Sequence, residues 1–245
     1  TLAATGSEMN SGGVITNEET KQKFNFSSPH VFPKVSILDP ATTFSVPKTY
    51  TAYGAVDAIS HLVEGYFTGE DPWTPIQDRY VEGLIKSVID STNLIMKDPN
   101  DYQGRATKMW AATLALNGLP QAGVGKMAFP NHMIEHSLSA LYDIAHGAGL
   151  AIVIPGWMKH MAQDNPKKFA QFAENVFQIK AATPEETADK GILALKAWFK
   201  EIGCPVTLSD ANISDADFDA IADNATMLAQ EWGMDDYPKD RIASV

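Results

Sequence analysis

The sequence predicts a mainly α-helical fold in which a short β-containing segment precedes a long helical region. Short runs rich in β-branched residues lie within the first 40 residues and are bounded by turn formers. After about Val46, apolar residues recur at helical spacing. The alternation of strands and helices that a complete nucleotide-binding fold requires is absent. We therefore expect residues 1–45 and 46–245 to be separate parts of the chain.

Two short strands are expected in the first part. One starts at Gly12 and the other at Lys34, and Asp39-Pro40 ends the second of them. Lys23 lies between the two runs, and we interpret it first as a solvated charge in a hairpin.

Eight helices are expected in the rest of the chain. Pro47 suits the first turn of the first helix, and Thr183-Pro-Glu-Glu is a capping box with proline at the first helical position. In the third helix, Trp110 and Met109 are expected to face inward together with Thr113, Leu114 and Leu116. The expected ranges are 47–67, 75–97, 104–116, 130–141, 146–162, 166–179, 183–203 and a last helix that begins at Ser214.

Composition excludes several classes of function. Nineteen basic and thirty acidic residues give a net charge of −11, with no basic cluster for binding nucleic acid. No apolar run approaches the ~18 residues that span a bilayer, so we expect no membrane segment. The single cysteine, Cys204, forms no intrachain disulfide and is typical of a reducing, cytoplasmic compartment. Its position at a helix end predicts a structural role.

Four side chains are candidate metal ligands. Asp57 and His61 stand at positions i and i+4, which places a carboxylate and an imidazole on one face of a helix. His132 and His146 follow, and with His136 they place three of the six histidines within 15 residues. This mixture suits Fe²⁺ or Zn²⁺ and leaves a coordination position for a substrate oxygen.

The residues alone leave a second interpretation open for these histidines. Apolar neighbours predict that His132 and His146 are buried, and buried imidazoles need partners, which are either a metal or groups of the core. His136, one turn after His132, is a candidate ligand, orienting group or proton donor. The stretch from Thr5 to Glu8 is more typical of a plain turn than of a phosphate site.

Several motifs together resemble those of the iron-containing (group III) alcohol dehydrogenase family. They are Thr1-Leu-Ala-Ala-Thr-Gly-Ser-Glu, Ile37-Leu-Asp-Pro, Asp57-Ala-Ile-Ser-His61-Leu-Val-Glu, and His132-Met-Ile-Glu-His136 followed by Asp143-Ile-Ala-His146-Gly-Ala. Within the family, Trp110-Ala-Ala-Thr-Leu-Ala-Leu-Asn-Gly-Leu, Ile76-Gln-Asp-Arg and Leu208-Ser-Asp are similar to the branch of butanol dehydrogenases and aldehyde reductases. The resemblance extends over nearly the whole chain.

The resemblance implies a fold, a cofactor and roles for particular residues. Residues 1–45 would be the end of an α/β dinucleotide-binding domain, and 46–245 a helical metal domain of the dehydroquinate synthase-like type. The family's glycine-rich loop is absent, so we expect the chain to be a fragment. By resemblance, Asp57, His61, His132 and His146 bind one divalent metal, and His136 relays a proton. NAD or NADP would contact Thr1, Thr5, Gly6, Ser7 and Lys23.

The resemblance also implies the activity. We expect interconversion of primary alcohols, such as butanol, and aldehydes by hydride transfer with NAD(P)H, in a homodimer. Three alternatives remain open: a helical metal-binding fragment without catalysis, a relative of glycerol dehydrogenase or dehydroquinate synthase, and a metallohydrolase. The last is disfavoured because no additional Glu or Asp is evidently placed as a base.

Overall fold

Two compact units make up the chain in the computed structural model, which describes residues 2–245. Unit 1 contains the residues up to Val14 together with Asn25–Met127, and unit 2 contains Ile15–Phe24 together with Ala128–Val245. Both units are helical. Among the described residues, no helix has the length and apolar character needed to cross a lipid bilayer.

Unit 1 is built on three helices that pack against one another in pairs: α1 (Lys48–Thr68), α2 (Pro75–Lys97) and α3 (Tyr102–Ala115). Small residues on α1, such as Ala55 and Ala58, are fully buried. Helix α2 instead has one apolar stripe, which is typical of a helix with one face in solvent. The stripe is buried as predicted and comprises Val81, Leu84, Ile85, Val88 and Ile95.

Six helices form unit 2. Helix α4 packs against α5 and α8, α6 packs against α7, α5 packs against α7, and α8 packs against α9. The predicted capping residue of α7 is confirmed, since Thr183 Oγ1 accepts a hydrogen bond from the amide of Glu186 at 3.2 Å. The helices are α4 (Pro130–Tyr142), α5 (His146–Met161), α6 (Pro166–Phe177), α7 (Pro184–Glu201), α8 (Phe218–Glu231) and α9 (Lys239–Ala243).

A single β-hairpin is the sheet structure found within residues 2–245. Its strands are β1 (Gly12–Asn17) and β2 (Gln22–Ser27). The tip of the hairpin belongs to unit 2, where Asn224 Nδ2 donates to the carbonyl of Lys21 at 3.0 Å and Gln22 Nε2 contacts Met227 Sδ at 3.0 Å. These contacts attach the tip to α8 and bring Lys23 to the histidine-bearing helices of unit 2.

Three predictions about local structure were wrong. The run from Lys34 to Pro40 forms no strand, because no described strand pairs with it, and Ile37 is 90% exposed. Trp110 does not face inward but is half exposed, since α3 buries Met109 and Thr113 instead. The last predicted helix opens with a separate 3₁₀ turn (Asp215–Asp217) before α8, and α9 was not predicted.

Candidate metal centre

Asp57 and His61 lie in the middle of α1, where both side chains are buried. The carboxylate oxygen Oδ1 of Asp57 lies 3.6 Å from Nε2 of His61. Two ligands of one tetrahedral zinc ion, each about 2.1 Å from the metal, are about 3.4 Å apart. The pair therefore fits two adjacent ligands of one cation, with a hard oxygen donor beside an imidazole nitrogen.

A buried amine lies in the same unit as this pair. Lys108 of α3 is 3% exposed, and its Nζ donates to the carbonyl of Ala3 at 2.6 Å. Burial lowers the pKa of Lys108 to about 7, although the negative charge of Asp57 opposes that shift and Arg105 adds to it. Lys108 thus attaches the start of the chain to α3.

Three histidines meet in unit 2, where α4 carries His132 and His136 and α5 begins at His146. The ring centroid of His146 lies 5.3 Å from that of His132 and 5.7 Å from that of His136. His132 and His136 are buried, as expected from their apolar neighbours. The same expectation was too strong for His146, whose side chain is 29% exposed because it stands at the first position of its helix.

Glu135, between the two histidines of α4, was missed by the sequence reasoning. Its side chain is completely buried, and its Oε2 contacts His146 Nδ1 and forms an ion pair with Lys23 Nζ at 3.3 Å. Ser139, one turn later on α4, donates its hydroxyl to the other carboxylate oxygen. A glutamate between the two histidines of a helix, followed four residues later by serine, was the available signal in the sequence.

The charges around Glu135 determine its ionisation. Burial alone would raise the pKa of Glu135, but the charge and hydrogen bond of His146 and the charge of Lys23 lower it to about 2. Glu135 is therefore a carboxylate at neutral pH. Lys23 is correspondingly not the solvated charge expected from its sequence, because its side chain is only 12% exposed and pairs with Glu135.

His136 is held by the backbone of the hairpin. Its Nδ1 lies 3.1 Å from the carbonyl oxygen of Lys23, and since a carbonyl only accepts, Nδ1 carries the proton. Trp232, the C-cap residue of α8, packs against the imidazole with the two rings nearly perpendicular and their centroids 5.2 Å apart. Burial, and next the charge of Lys23, lower the pKa of His136 to about 3. The ring is neutral at neutral pH, with Nε2 able to accept a proton.

The predicted cofactor-contacting segment forms a turn in unit 1. Gly6 adopts a left-handed conformation with φ of 58°, and a Cβ there would lie 3.0 Å from the carbonyl of Ala112, so glycine is required. The side-chain amide Nδ2 of Asn10 donates to the carbonyl of Thr5 at 2.8 Å, and Ser7 opens a short 3₁₀ turn. Thr1, which was assigned to the same role, lies outside the described residues.

Comparison with known proteins identifies the family. Residues 51–239 match the family model "Fe-containing alcohol dehydrogenase family, C-terminal", and residues 1–40 match "Iron-containing alcohol dehydrogenase". The chain is 48% identical, over 92% of its length, to a probable NADH-dependent butanol dehydrogenase of Bacillus subtilis. It is 39% identical, over 90% of its length, to an NADPH-dependent aldehyde reductase of Escherichia coli.

A solved structure supports the same assignment. The chain aligns over its full length with an NADH-dependent butanol dehydrogenase from Thermotoga maritima, with a TM-score of 0.92 and 44% identity. It covers 63% of that structure, and 58% and 57% of the Bacillus subtilis and Escherichia coli relatives. With both family models matching and its mainly helical fold shared, the chain belongs to the iron-containing alcohol dehydrogenase family.

Proposed function

We propose that this chain is the metal-binding part of an NAD(P)H-dependent oxidoreductase that interconverts primary alcohols, such as butanol, and aldehydes. One divalent cation is held by Asp57, His61, His132 and His146. The observation that carries the proposal is the donor chemistry within each unit. A carboxylate and an imidazole nitrogen 3.6 Å apart are present in one unit, and two imidazoles with centroids 5.3 Å apart in the other. The named relatives support the reaction.

The protein's side chains divide the remaining tasks. When bound, the cation polarises the substrate oxygen as a Lewis acid and the dinucleotide supplies or accepts the hydride. Asp57 offsets one of the two positive charges of a divalent ion. His136, neutral and with Nε2 free to accept, passes a proton between the substrate oxygen and solvent. Iron and zinc both suit the donors, and intrinsic affinity favours zinc.

The cofactor assignment concerns the turn and the hairpin. Thr1, Thr5, Gly6 and Ser7 are proposed to contact NAD or NADP; the left-handed turn at Gly6, which packs against the backbone of α3, holds this segment in place. Lys23 has three N–H donors, two of which reach Glu135 and Ser139. The third is proposed to reach the nicotinamide ribose.

Residues 1–45 are proposed to complete a dinucleotide-binding domain, and 46–245 to form the metal domain. The apolar side chains of Val35 and Ile37, which are 81% and 90% exposed, support this division, because such residues are normally covered. We further propose a homodimer, and a cytoplasmic location on the basis of the single free cysteine, Cys204.

Metal binding by the full chain is the first test. Chain stripped of metal should bind one equivalent of Zn²⁺, measured by competition with a chromophoric chelator. Asp57→Asn and His132→Gln should each weaken binding by at least about 100-fold, because each removes a ligand. His30→Gln, at an exposed position, is the matched control and should bind as the parent does. Absence of stoichiometric metal in the parent, or unchanged affinity in both ligand variants, would refute the site.

A cofactor and substrate panel separates the alternatives. NADH and NADPH titrations of the metal-loaded chain should show nicotinamide binding. Butanal with NAD(P)H and glycerol with NAD(P)⁺ are then compared as substrates, and turnover should be seen with the aldehyde if this chain alone suffices for catalysis. Metal retained without any nicotinamide binding would favour the non-catalytic helical module for this chain. Preferred oxidation of glycerol would favour the glycerol dehydrogenase-like alternative.

A further inference from the structure

We propose that Glu135 is a positioning residue for the metal ligand His146, whose ring it holds in the tautomer that leaves Nε2 for the metal. The inference rests on the proposed metal site and adds to it a residue that the ligand set does not contain. Metal-bound histidines usually donate their second ring nitrogen to a carboxylate or carbonyl, which fixes both the tautomer and the ring orientation.

The hydrogen-bond inventory around Glu135 determines the direction of each bond. Ser139 donates to Oε1, while Lys23 Nζ lies 3.3 Å from Oε2 and 3.2 Å from Ser139 Oγ. A carboxylate with donors at both oxygens is an acceptor, so the contact between Oε2 and His146 Nδ1 requires a proton on Nδ1. In the neutral ring, Nε2 then carries the lone pair that binds a cation.

Lys23 Nζ also lies 3.1 Å from His146 Nδ1, which raises a competing possibility. If the lysine donated to Nδ1, the proton of the neutral ring would be on Nε2 and the metal would have no lone pair there. The fully buried carboxylate of Glu135 would then face His146 without receiving a hydrogen bond from it, which is unfavourable for a buried charge. The geometry therefore favours Glu135 as the partner of Nδ1 and Lys23 as the counter-ion of Glu135.

Helix α5 has a glycine, Gly149, at the position where it packs against this carboxylate. A Cβ at Gly149, one turn after His146, would lie 2.7 Å from Oε1 and 2.8 Å from Cγ of Glu135. Any larger residue at this position would displace the carboxylate from Nδ1. Gly149 thus gives a second, independent way to disturb the pair without removing Glu135.

The simpler interpretation is that Glu135 only neutralises the charge of Lys23, whose side chain is 12% exposed. The two interpretations differ in one measurable respect. If neutralisation is the sole role, removing both charges should restore the affinity for the metal. If Glu135 orients His146, the double variant should stay weak, because Nδ1 still lacks its acceptor.

The experiment measures Zn²⁺ affinity of the full chain by chelator competition, with ¹⁵N NMR of the histidine side chains in the metal-free protein. Glu135→Leu should weaken binding by about 10- to 100-fold. Glu135→Gln retains an acceptor and should lose less. Gly149→Ala should also weaken binding. Gly83→Ala is the matched control, because a Cβ there meets no atom within 4 Å. The double variant Lys23→Met, Glu135→Leu should bind as weakly as Glu135→Leu.

The NMR measurement keeps the inference separate from the proposed function and from misfolding. In the metal-free parent, the Nδ1-protonated tautomer of His146 should dominate, and Glu135→Leu should shift the tautomer equilibrium. A parent that binds no zinc but has this tautomer would refute the metal site and leave the orienting role intact. Normal zinc binding by the parent with unchanged affinity in folded Glu135→Leu and Gly149→Ala, or recovery in the double variant, would overturn the inference. So would the Nε2-protonated tautomer in the parent.

Discussion

Replacing Lys108 by methionine should make the chain more stable at neutral pH and remove a specific pH dependence. The lysine is buried in α3, and its pKa is about 7 in place of 10.5. Burying the protonated amine is therefore unfavourable by up to about 5 kcal/mol. Methionine has similar length without the charge, but it leaves the carbonyl of Ala3 without this donor, which costs about 1–3 kcal/mol.

The pH dependence follows from the sign of the pKa change. Below about pH 7, Lys108 is protonated in both the folded and the unfolded chain, and the full destabilisation is present. Between about pH 7 and 10.5 the unfolded chain binds more protons, so stability rises with pH by up to about 1.4 kcal/mol per pH unit. Integration from about pH 7 to about pH 9 gives a gain of about 2 kcal/mol for the parent and none at this site for the variant.

This pH dependence is measured by urea unfolding of the metal-free chain at about pH 7, 8 and 9, with circular dichroism as the signal. The free energy of unfolding of Lys108→Met minus that of the parent should fall by about 2 kcal/mol over this interval. Other titrating groups are common to both proteins and cancel in the difference. Lys86→Met, at an exposed position of α2, is the control and should give a constant difference. A constant difference for Lys108→Met as well would show that the amine titrates normally and would refute the reasoning.

Two further predictions concern packing and the cysteine. Gly191→Ala should lower the free energy of unfolding by about 1–3 kcal/mol, because the new Cβ would lie 2.9 Å from Cα of Ala173 where α7 packs on α6. Gly83→Ala, at an exposed position of α2, should instead raise the free energy of unfolding by about 0.5–1 kcal/mol. Urea titration of both variants measures these two changes. Cys204, whose pKa burial raises to about 12, should react with a thiol reagent only after denaturant is added; rapid labelling of the native chain would contradict its burial.

The helical part of the fold was predictable because its signals are local. The apolar stripe of α2 and the capping residue Thr183 act within a few residues, and the observed α2 and α7 begin where those signals place them. The run from Lys34 to Pro40 has strand-like composition, but a strand also needs a partner, and local sequence carries no information about which partner is present. The prediction that Trp110 faces inward was wrong for a similar reason, because the face of α3 that is buried lies beside Trp110 and does not include it.

The candidate site was predictable to the extent that its groups are close in sequence. Asp57 and His61 share one helical face, and His132 and His136 share another, so spacing alone was sufficient. Glu135 was overlooked because spacing along the chain does not show its partners: Lys23 is 112 residues away in sequence and comes close only through the hairpin. The exposure of His146 likewise depends on where α5 starts and not on its apolar neighbours.

The hairpin has a consequence for how the chain can be divided. The polypeptide passes from one unit to the other at three places, after Val14, after Phe24 and after Met127. A polypeptide of residues 128–245 would contain the sequence of the helices of unit 2 but would lack the ammonium and the backbone carbonyl of Lys23. Adding a synthetic peptide of residues 10–28 would return both groups without a covalent bond. Recombinant dissection of this protein should therefore treat the hairpin as an insert that complements the second unit, and not as a linker that can be trimmed.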